Sequence, residues 1–207
     1  MTASAASRRT ATRDKRRKEL IGATLKCIAR KGMGGTTLAD VAREAGLSQG
    51  IVNLHFNSKD NLLAETLKYL SEEYIAQFDR TLERAGPGAA DKLLALMEMD
   101  FKPSICDPAK LAVWFAFWGE LKSVPTYQKI CAESDRHYDE VVEGLCAAII
   151  DEGGYEGIPA DRASDALLAM TNGLWLSCLI SPKTWNRHKA LESVITYLRG
   201  VFPRHYP

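Results

Sequence analysis

The chain has 207 residues, of which 46% are hydrophobic and 26% charged, a composition typical of a globular protein with room for a sizeable core. The net charge at pH 7 is +1, but residues 1–60 hold 12 Lys and Arg against 5 Asp and Glu, whereas residues 61–207 hold 15 against 21. This asymmetry predicts a polyanionic partner bound by one end, and no apolar run approaches the roughly 20 residues of a membrane span, so we expect a cytoplasmic protein without a membrane partner.

The N-terminal segment is basic. Residues 1–12 are rich in Ser, Thr, Ala and Arg and are predicted to form a disordered arm. Such an arm can reach the minor groove of a bound duplex or remain a solvated tail, and both alternatives stay open. A first helix is predicted over 13–31 and should end at Gly32, with its apolar face formed by Leu20, Ile21, Thr24, Leu25 and Ile28. The basic residues run from the arm into this helix: Arg8, Arg9, Arg13, Lys15, Arg16, Arg17 and Lys18.

Residues 36–63 contain the most specific local pattern. Thr37 followed by Asp40 resembles a capping box, so a helix should begin directly after Thr37. Gly46 can supply the left-handed residue that ends this helix, and Ser48 can cap a second one. Two short helices joined by a tight turn form a helix-turn-helix, whose second helix enters the DNA major groove. The predicted second helix carries Ile51, Val52 and Leu54 as its apolar residues.

A long helix should connect this pattern to the rest of the chain. It is predicted from Ser58 to about Arg84, because no Gly or Pro interrupts this stretch, and Gly86-Pro87-Gly88 forms the first clear linker. Its inward-facing residues recur at spacings of mostly three and four: Leu62, Leu63, Thr66, Leu67, Leu70, Tyr74, Phe78 and Leu82.

Only helices are predicted beyond the linker. The expected segments are 89–101, 108–122, 126–151, 161–180 and 187–202, and strand alternation is found nowhere. The predicted fold is therefore all-α: a three-helix helix-turn-helix domain over 13–60, joined by the long helix to a helical ligand-binding and dimerisation domain over 61–207.

An aromatic patch marks the second domain. Residues 111–121 read LAVWFAFWGEL, which is apolar almost all round and predicts a buried helix. Trp114 and Trp118 are four residues apart and share a face, so with Phe117, Trp175 and Tyr138 or Tyr127 they could line a cavity for a cation. The alternative is that these rings are core filler or dimer packing, which aromatics at helical spacing usually are.

Residues 37–63 resemble the DNA-binding domain of the tetracycline-repressor (TetR) family. The resemblance rests on Thr37, Val41-Ala42, Ala45-Gly46-Leu47-Ser48, Gly50, Phe56, Ser58-Lys59 and Leu62-Leu63, with Asn53 where the family usually has tyrosine. It implies phosphate contacts by Thr37 and His55, and Ser48 belongs to the same DNA-binding set. Lys59 at the start of the long helix should hold phosphate, Gln49 and Asn53 should read bases, and Gly50 should allow a close approach.

A narrower resemblance points to the choline-responsive BetI branch of that family. It rests on the segments WFAFW and NGLWL, on the chain length and on Gly50-Ile51-Val52-Asn53. It implies a small quaternary ammonium effector held by the aromatic residues and by Asn172. Since Asn172 stands where the branch typically has Asp, the negative charge should come from Glu120 or Glu98, or the effector is neutral.

An enzyme is not predicted. The motifs GxSxG, GxGxxG and HExxH and a P-loop are absent from the sequence, and the four histidines lie in separate segments. We expect no metal and no cofactor, since the five cysteines are widely spaced and read as reduced core residues. A helical adaptor is the third alternative, but it explains neither the charge asymmetry nor the pattern at 36–63.

The predicted function is a ligand-released transcriptional repressor. Two chains should pair through the helices at 161–180 and 187–202, so that the homodimer presents two reading helices to a palindromic operator. The residues expected at this dimer interface are Leu167, Met170, Leu174, Leu191, Val194, Ile195 and Leu198.

Overall fold

The computed structural model describes the backbone of residues 3–207 and the side chains of residues 13–207. The described backbone contains helices and no strand, which confirms the predicted all-α class. In chain order the helices are α1 (Ala3–Lys31), α2 (Leu38–Glu44), α3 (Gln49–Phe56), α4 (Lys59–Arg84), α5 (Ala89–Asp100), α6 (Pro108–Gly119), α7 (Pro125–Gly153), α8 (Ala160–Ile180) and α9 (Arg187–Val201). From α4 onward, the ends differ from the predicted ends by three residues at most.

Helix α1 begins earlier than predicted. It starts at Ala3 rather than near Arg13, while Met1 and Thr2 lie outside the described residues. The disorder of residues 1–12 stays a prediction. Ala and Arg favour helix, and no Gly or Pro occurs before Gly22, so nothing in the sequence stops the helix from extending.

The start of α2 follows the predicted capping box. The Asp40 backbone N–H donates to Thr37 Oγ1 at 3.1 Å, and the Thr37 N–H donates to Asp40 Oδ2 at 3.2 Å. At the other end Gly46 adopts a left-handed φ of 66°, and the Leu47 N–H donates to the Ala42 carbonyl at 2.9 Å. This closed turn satisfies the last carbonyls of α2 and sets the angle at which α3 leaves.

Two compact units make up the described chain. The first contains the residues up to Leu70 together with Ala112–Gln128, and the second contains Ser71–Leu111 and Lys129–Pro207. This division differs from the predicted boundary at residue 60, because α4 continues without a break through that point.

The first unit has its core where α1, α2 and α3 meet the start of α4. From the predicted α1 face, Leu20 and Ile21 are in this core, and Leu25 packs against it partly buried. The buried members are Leu20, Ile21, Ala23, Cys27, Val41, Ala42, Val52, Phe56 and Leu62. This packing presents the opposite side of α3 to solvent.

The second unit buries part of the face that we expected at a dimer interface. Leu167, Val194 and Leu198 are each 0% exposed, since α8 and α9 pack against each other and α9 also packs against α5. The prediction that these three residues pair two chains is therefore wrong. The large apolar side chains that α8 does expose are Leu176 and Ile180.

Helix α8 is also long and apolar enough, by length and composition, to cross a membrane. It is the single helix of the described residues that meets this criterion, and a core helix of a water-soluble protein meets it as well. The test is weak evidence for a membrane span, and the apolar character of α8 is partly explained by Leu167, Trp175 and Cys178, which are buried inside the unit.

Candidate DNA interface and ligand site

Helix α3 has two distinct sides. Val52 and Phe56 are buried in the core of the first unit, whereas Gln49, Gly50, Asn53 and Leu54 are exposed. The helical repeat places these four exposed residues on one face of α3. This face carries the amide side chains of Gln49 and Asn53 and the side chain of Leu54, and it has no side chain at Gly50. Amide side chains can pair with the edge of adenine in the major groove.

Ser48 stands at the predicted N-cap position of α3 but does not cap with its side chain. Its backbone is extended and its carbonyl accepts from the Ile51 N–H at 3.0 Å, whereas its hydroxyl makes no capping hydrogen bond. The expected side-chain cap is therefore wrong. Because the residue is exposed, the hydroxyl is accessible to a ligand beside the N-terminus of α3.

The Thr37 hydroxyl is part of a small ionic cluster. It donates to Asp40 Oδ2 at 2.8 Å, and Lys31 Nζ donates to Asp40 Oδ1 at 2.7 Å. The Lys31 and Thr37 hydrogen bonds hold the pKa of Asp40 well below its usual range. The cluster joins the cap of α2 to the end of α1.

Arg17 connects α1 to both α3 and α4. Its Nη1 donates to the His55 carbonyl at 2.9 Å, its Nη2 lies 2.7 Å from Glu65 Oε2, and its Cζ is 4.6 Å from the centroid of the Phe56 ring. Sequence reasoning assigned Arg17 to the basic arm and missed this role, since its partners lie 38 and 48 residues further along the chain.

His55 and Lys59 have internal surroundings in addition to their expected DNA contacts. The imidazole of His55 is half-buried, and burial together with Arg13, Arg17 and Arg16 lowers its pKa. His55 therefore binds a proton less readily than an ordinary imidazole, and its neutral ring can still donate a hydrogen bond to phosphate. Lys59 Nζ donates to the Met33 carbonyl at 3.2 Å, which holds the ammonium at the N-terminal end of α4.

In the second unit, a carboxylate is buried at the C-terminal end of α5. Asp100 is 1% exposed, its Oδ1 accepts from Tyr74 Oη at 2.8 Å, and its Oδ2 has no hydrogen-bond partner. Burial raises the pKa of Asp100 to about 7, against the smaller opposing effect of the Tyr74 hydrogen bond. A helix C-terminus is itself the negative end of the helix dipole, so this position favours a cation.

Aromatic rings surround the region of Asp100. Trp175 Nε1 donates to the Asp100 backbone carbonyl at 3.0 Å, and the Tyr74 ring lies 6.4 Å from the Trp175 ring in an edge-on arrangement. The ring centroids of Tyr74 and Tyr138 are 6.5 Å apart. These contacts bring α4, α5, α7 and α8 together around one carboxylate.

Buried oxygens without partners are concentrated in the same unit. Besides Asp100 Oδ2 they are Ser71 Oγ, Tyr138 Oη and Thr171 Oγ1, each buried and without a hydrogen bond within the described part of the chain. Buried polar atoms are rarely left unpaired in folded proteins, so each of these oxygens is a candidate partner for water or another polar molecule.

The predicted ligand residues fall into both compact units. Tyr138, Trp175 and the half-buried Asn172 belong to the second unit, and Trp114, Phe117 and Trp118 belong to the first. In the first unit the Trp114 and Trp118 rings are 6.0 Å apart, and the buried Phe117 ring packs edge-on against Tyr127 at 5.1 Å.

Two acids were named above as possible sources of negative charge for a cation. Both of them, Glu98 and Glu120, are exposed, whereas Asp100 is a buried acid of the second unit. Asp100 was missed, although its spacing was informative. It follows Leu93, Leu96 and Met97 at helical intervals and is therefore an acid on the buried face of α5.

Two family models match the chain. One, described as bacterial regulatory proteins of the tetR family, covers residues 20–66. The other, described as the C-terminal domain of BetI-type transcriptional repressors, covers residues 89–203. The first contains the helix-turn-helix and the second contains Asp100, Tyr138 and Trp175.

Similar proteins are known over nearly the whole length. The HTH-type transcriptional regulator BetI of Paraburkholderia phymatum is 32% identical over 90% of this chain and 92% of its own. A crystal structure of a Pseudomonas aeruginosa PAO1 protein assigned as a transcriptional regulator is 28% identical, with a TM-score of 0.81 over 94% of this chain and 95% of that one.

A protein of Saccharomonospora viridis, assigned as a transcriptional regulator and crystallised with choline, has the same fold. It is 19% identical, with a TM-score of 0.81 over 90% of this chain and 96% of that one. The family models and the curated relative together establish that this chain belongs to the tetR family of bacterial regulatory proteins and is a DNA-binding transcriptional repressor of the BetI type.

Proposed function

We propose that the protein binds palindromic operator DNA as a homodimer and is released by a small organic cation that pairs with Asp100. The observation that carries the proposal is the buried carboxylate itself. Asp100 Oδ2 has no hydrogen-bond partner, and no basic side chain pairs with Asp100 among the described residues. A buried charge of this kind is stable only when a cation or a proton neutralises it.

The aromatic neighbours favour a quaternary ammonium over a metal ion. Such a cation has no N–H to donate and is recognised by ring faces, each contributing on the order of 0.5–2 kcal/mol. Tyr74, Tyr138 and Trp175 supply three rings near the carboxylate. The choline complex of the Saccharomonospora viridis protein, which has the same fold, supports this class of effector.

At the DNA end, Gln49 and Asn53 read bases through the exposed face of α3. Lys59, already held at the N-terminus of α4 by the Met33 carbonyl, contacts phosphate, as do Thr37 and His55. In a homodimer, the two helix-turn-helix domains then reach operator half-sites one helical turn of DNA apart, about 34–36 Å.

A second copy of the chain covers the exposed face of α8. Ala169, Gly173, Leu176 and Ile180 recur at spacings of four, three and four residues and are all exposed. This stripe combines small residues, which permit close helix approach, with two large apolar ones. It is the dimer surface that replaces the buried residues of the sequence prediction.

Helix α4 provides a route for coupling. It carries Lys59 at its start and, 15 residues further along the same helix, Tyr74, whose hydroxyl donates to Asp100. A cation beside Asp100 changes the hydrogen bond that Tyr74 makes. A shift of α4 then changes the position of the helix-turn-helix domain. The coupling must be reciprocal, so operator DNA should weaken cation binding by the same factor.

The proposal is tested with a fluorescent duplex selected from a random library by the purified protein. Choline should release wild-type protein but not Asp100→Asn, which should bind the same duplex normally. Glu98→Gln is the matched control, because it removes an exposed acid from the same helix and should keep the response.

A neutral effector is the alternative, and the raised pKa of Asp100 favours it, because a protonated carboxyl can donate a hydrogen bond. The probe that separates the two is 3,3-dimethyl-1-butanol, which has the shape of choline without the charge. If it releases the operator as effectively as choline does, the effector is neutral and the cation proposal fails.

The Trp114–Trp118 pair remains a prediction. If these rings contribute to recognition, Trp114→Phe should reduce the choline-dependent change in fluorescence. An unchanged response in a folded Trp114→Phe protein would assign the pair to packing.

A further inference from the structure

Leu54 is an apolar side chain in an unexpected position. It is 71% exposed, more than any other large hydrophobic residue in the described part of the chain, and the other two such residues lie on α8. Single exposed leucines are common on protein surfaces. Leu54, however, shares its face of α3 with Gln49 and Asn53, the proposed base readers.

The surroundings of Leu54 on α3 leave its methyl groups accessible. Helical side chains lean toward the N-terminus, so Leu54 leans toward Gly50 one turn earlier. Gly50 has no side chain, and a Cβ built there would meet only Ser48 Oγ, at 3.8 Å. The position that a side chain of residue 50 would occupy is therefore open apart from the Ser48 hydroxyl.

We infer that Leu54 contacts the C5-methyl group of a thymine in the operator. This inference rests on the proposed DNA-binding role of α3. The thymine methyl is the apolar feature of the major-groove edge, and aliphatic side chains recognise it by contact. The excess of basic residues over 1–60 attracts the phosphates, which carry no sequence information, whereas an apolar side chain on the same face as Gln49 and Asn53 can contact a base.

The experiment removes one methyl group at a time. Each dT of the selected duplex is replaced singly by dU, which changes nothing else on the base, and the Kd is measured by fluorescence anisotropy. For wild-type protein we expect about a four-fold loss at one dT of each half-site, the effect of removing one methyl group from an apolar contact. In Leu54→Ala, dT and dU should bind equally at that position.

Two further variants isolate the contact. Leu54→Met keeps an apolar side chain of similar size and should restore a preference for dT. Asn53→Ala alters the adjacent residue and should weaken binding while the dT-to-dU ratio stays as in wild type. Because Leu54 is 71% exposed, Leu54→Ala should unfold at the same urea concentration as wild type, which circular dichroism checks.

Two results would overturn the inference. One is a wild-type protein that is indifferent to dU at every position, and the other is a dU effect of equal size in Leu54→Ala. Failure to select any duplex would instead contradict the DNA-binding role of α3 itself, and the inference would fall with it.

Discussion

Asp100 combines burial with an incomplete set of partners. Its Oδ1 accepts from Tyr74 and its backbone carbonyl accepts from Trp175, but its Oδ2 has none. Desolvation raises the pKa of Asp100 to about 7, so the carboxyl is partly protonated at neutral pH. The proton and the proposed cation therefore compete for the same site.

The first prediction follows from this competition. Choline affinity should rise about ten-fold per pH unit on approaching pH 7 from below and level off above it, because only the carboxylate pairs with the cation. Isothermal titration between pH 5.5 and 8.5 measures it. A flat profile, or one that matches the profile of 3,3-dimethyl-1-butanol, would contradict the assignment of Asp100.

The same shift has a consequence for the free energy of unfolding. The folded-state pKa of about 7 lies above the unfolded value of about 3.9, so the folded protein holds this proton more tightly. Its stabilising contribution is complete below about pH 4 and is lost as the pH rises through 7.

We therefore predict that Asp100→Asn becomes progressively more stable relative to wild type between pH 5 and pH 8. Urea denaturation at the two pH values, without choline, provides the comparison. Glu98→Gln should show no such trend, because Glu98 is exposed.

Gly50 tests the approach of α3 to DNA. A methyl group at Gly50 fits the free protein, since its nearest neighbour would be Ser48 Oγ at 3.8 Å, and Ala is the better helix former by about 0.5 kcal/mol. Gly50→Ala should thus fold with equal or greater stability but bind operator about ten-fold more weakly, since base readout contributes about 1–3 kcal/mol per contact. Operator binding as tight as in wild type would show that α3 does not approach closely at this point.

At the scale of the elements, Arg17 joins three helices of the first unit. It donates to the carbonyl of His55 near the end of α3, pairs with Glu65 on α4 and lies over Phe56. One side chain thus fixes the end of the reading helix against its two neighbours. Its position explains why part of the basic character of α1 serves the fold rather than the DNA.

Replacing Arg17 with Met keeps the aliphatic stem but removes both polar contacts. We expect the free energy of unfolding to fall by about 1–2 kcal/mol, because the His55 carbonyl loses a charged donor. Arg16→Met is the matched control: Arg16 pairs with Glu19 in the same helix, and its loss should cost little. If the two variants were equally stable, Arg17 would contribute no more to the free energy of unfolding than the exposed Arg16 does.

At the scale of the whole molecule, the proposed mechanism requires two chains. The exposed α8 stripe is the surface assigned to the partner copy, and its most exposed large residue is Ile180, at 70%. A dimer through α8 would also remove Leu176 from water.

We predict that Ile180→Glu converts the homodimer to monomers at micromolar concentration, because an unpaired charge at an apolar interface is costly. Sedimentation velocity gives the oligomeric state. Leu54→Glu serves as the control, since it places the same charge at an equally exposed residue on α3 and should leave assembly intact. A dimer that survives Ile180→Glu would place the interface elsewhere.

The sequence by itself determined the elements that depend on neighbouring residues. The start of α2 follows from Thr37 and Asp40, its end from Gly46, and the uninterrupted length of α4 from the absence of Gly and Pro. Capping, left-handed turns and helical periodicity act over four residues or fewer, so they can be read directly. The same local rules did not decide which apolar residues of α3 are buried, since Val52 lies in the core and Leu54 is exposed.

Only the tertiary structure decided which residues meet and which stay free. The hydrogen bond from Tyr74 to Asp100 spans 26 residues, and that from Trp175 spans 75, so no local pattern indicated that a carboxylate would be buried among these rings. Likewise, Leu167 and Leu176 are both apolar residues of α8, but the first is buried by packing within the second unit while the second is exposed. Burial is a property of long-range packing, which depends on how distant helices are oriented, and a helical repeat specifies only the face on which a residue lies.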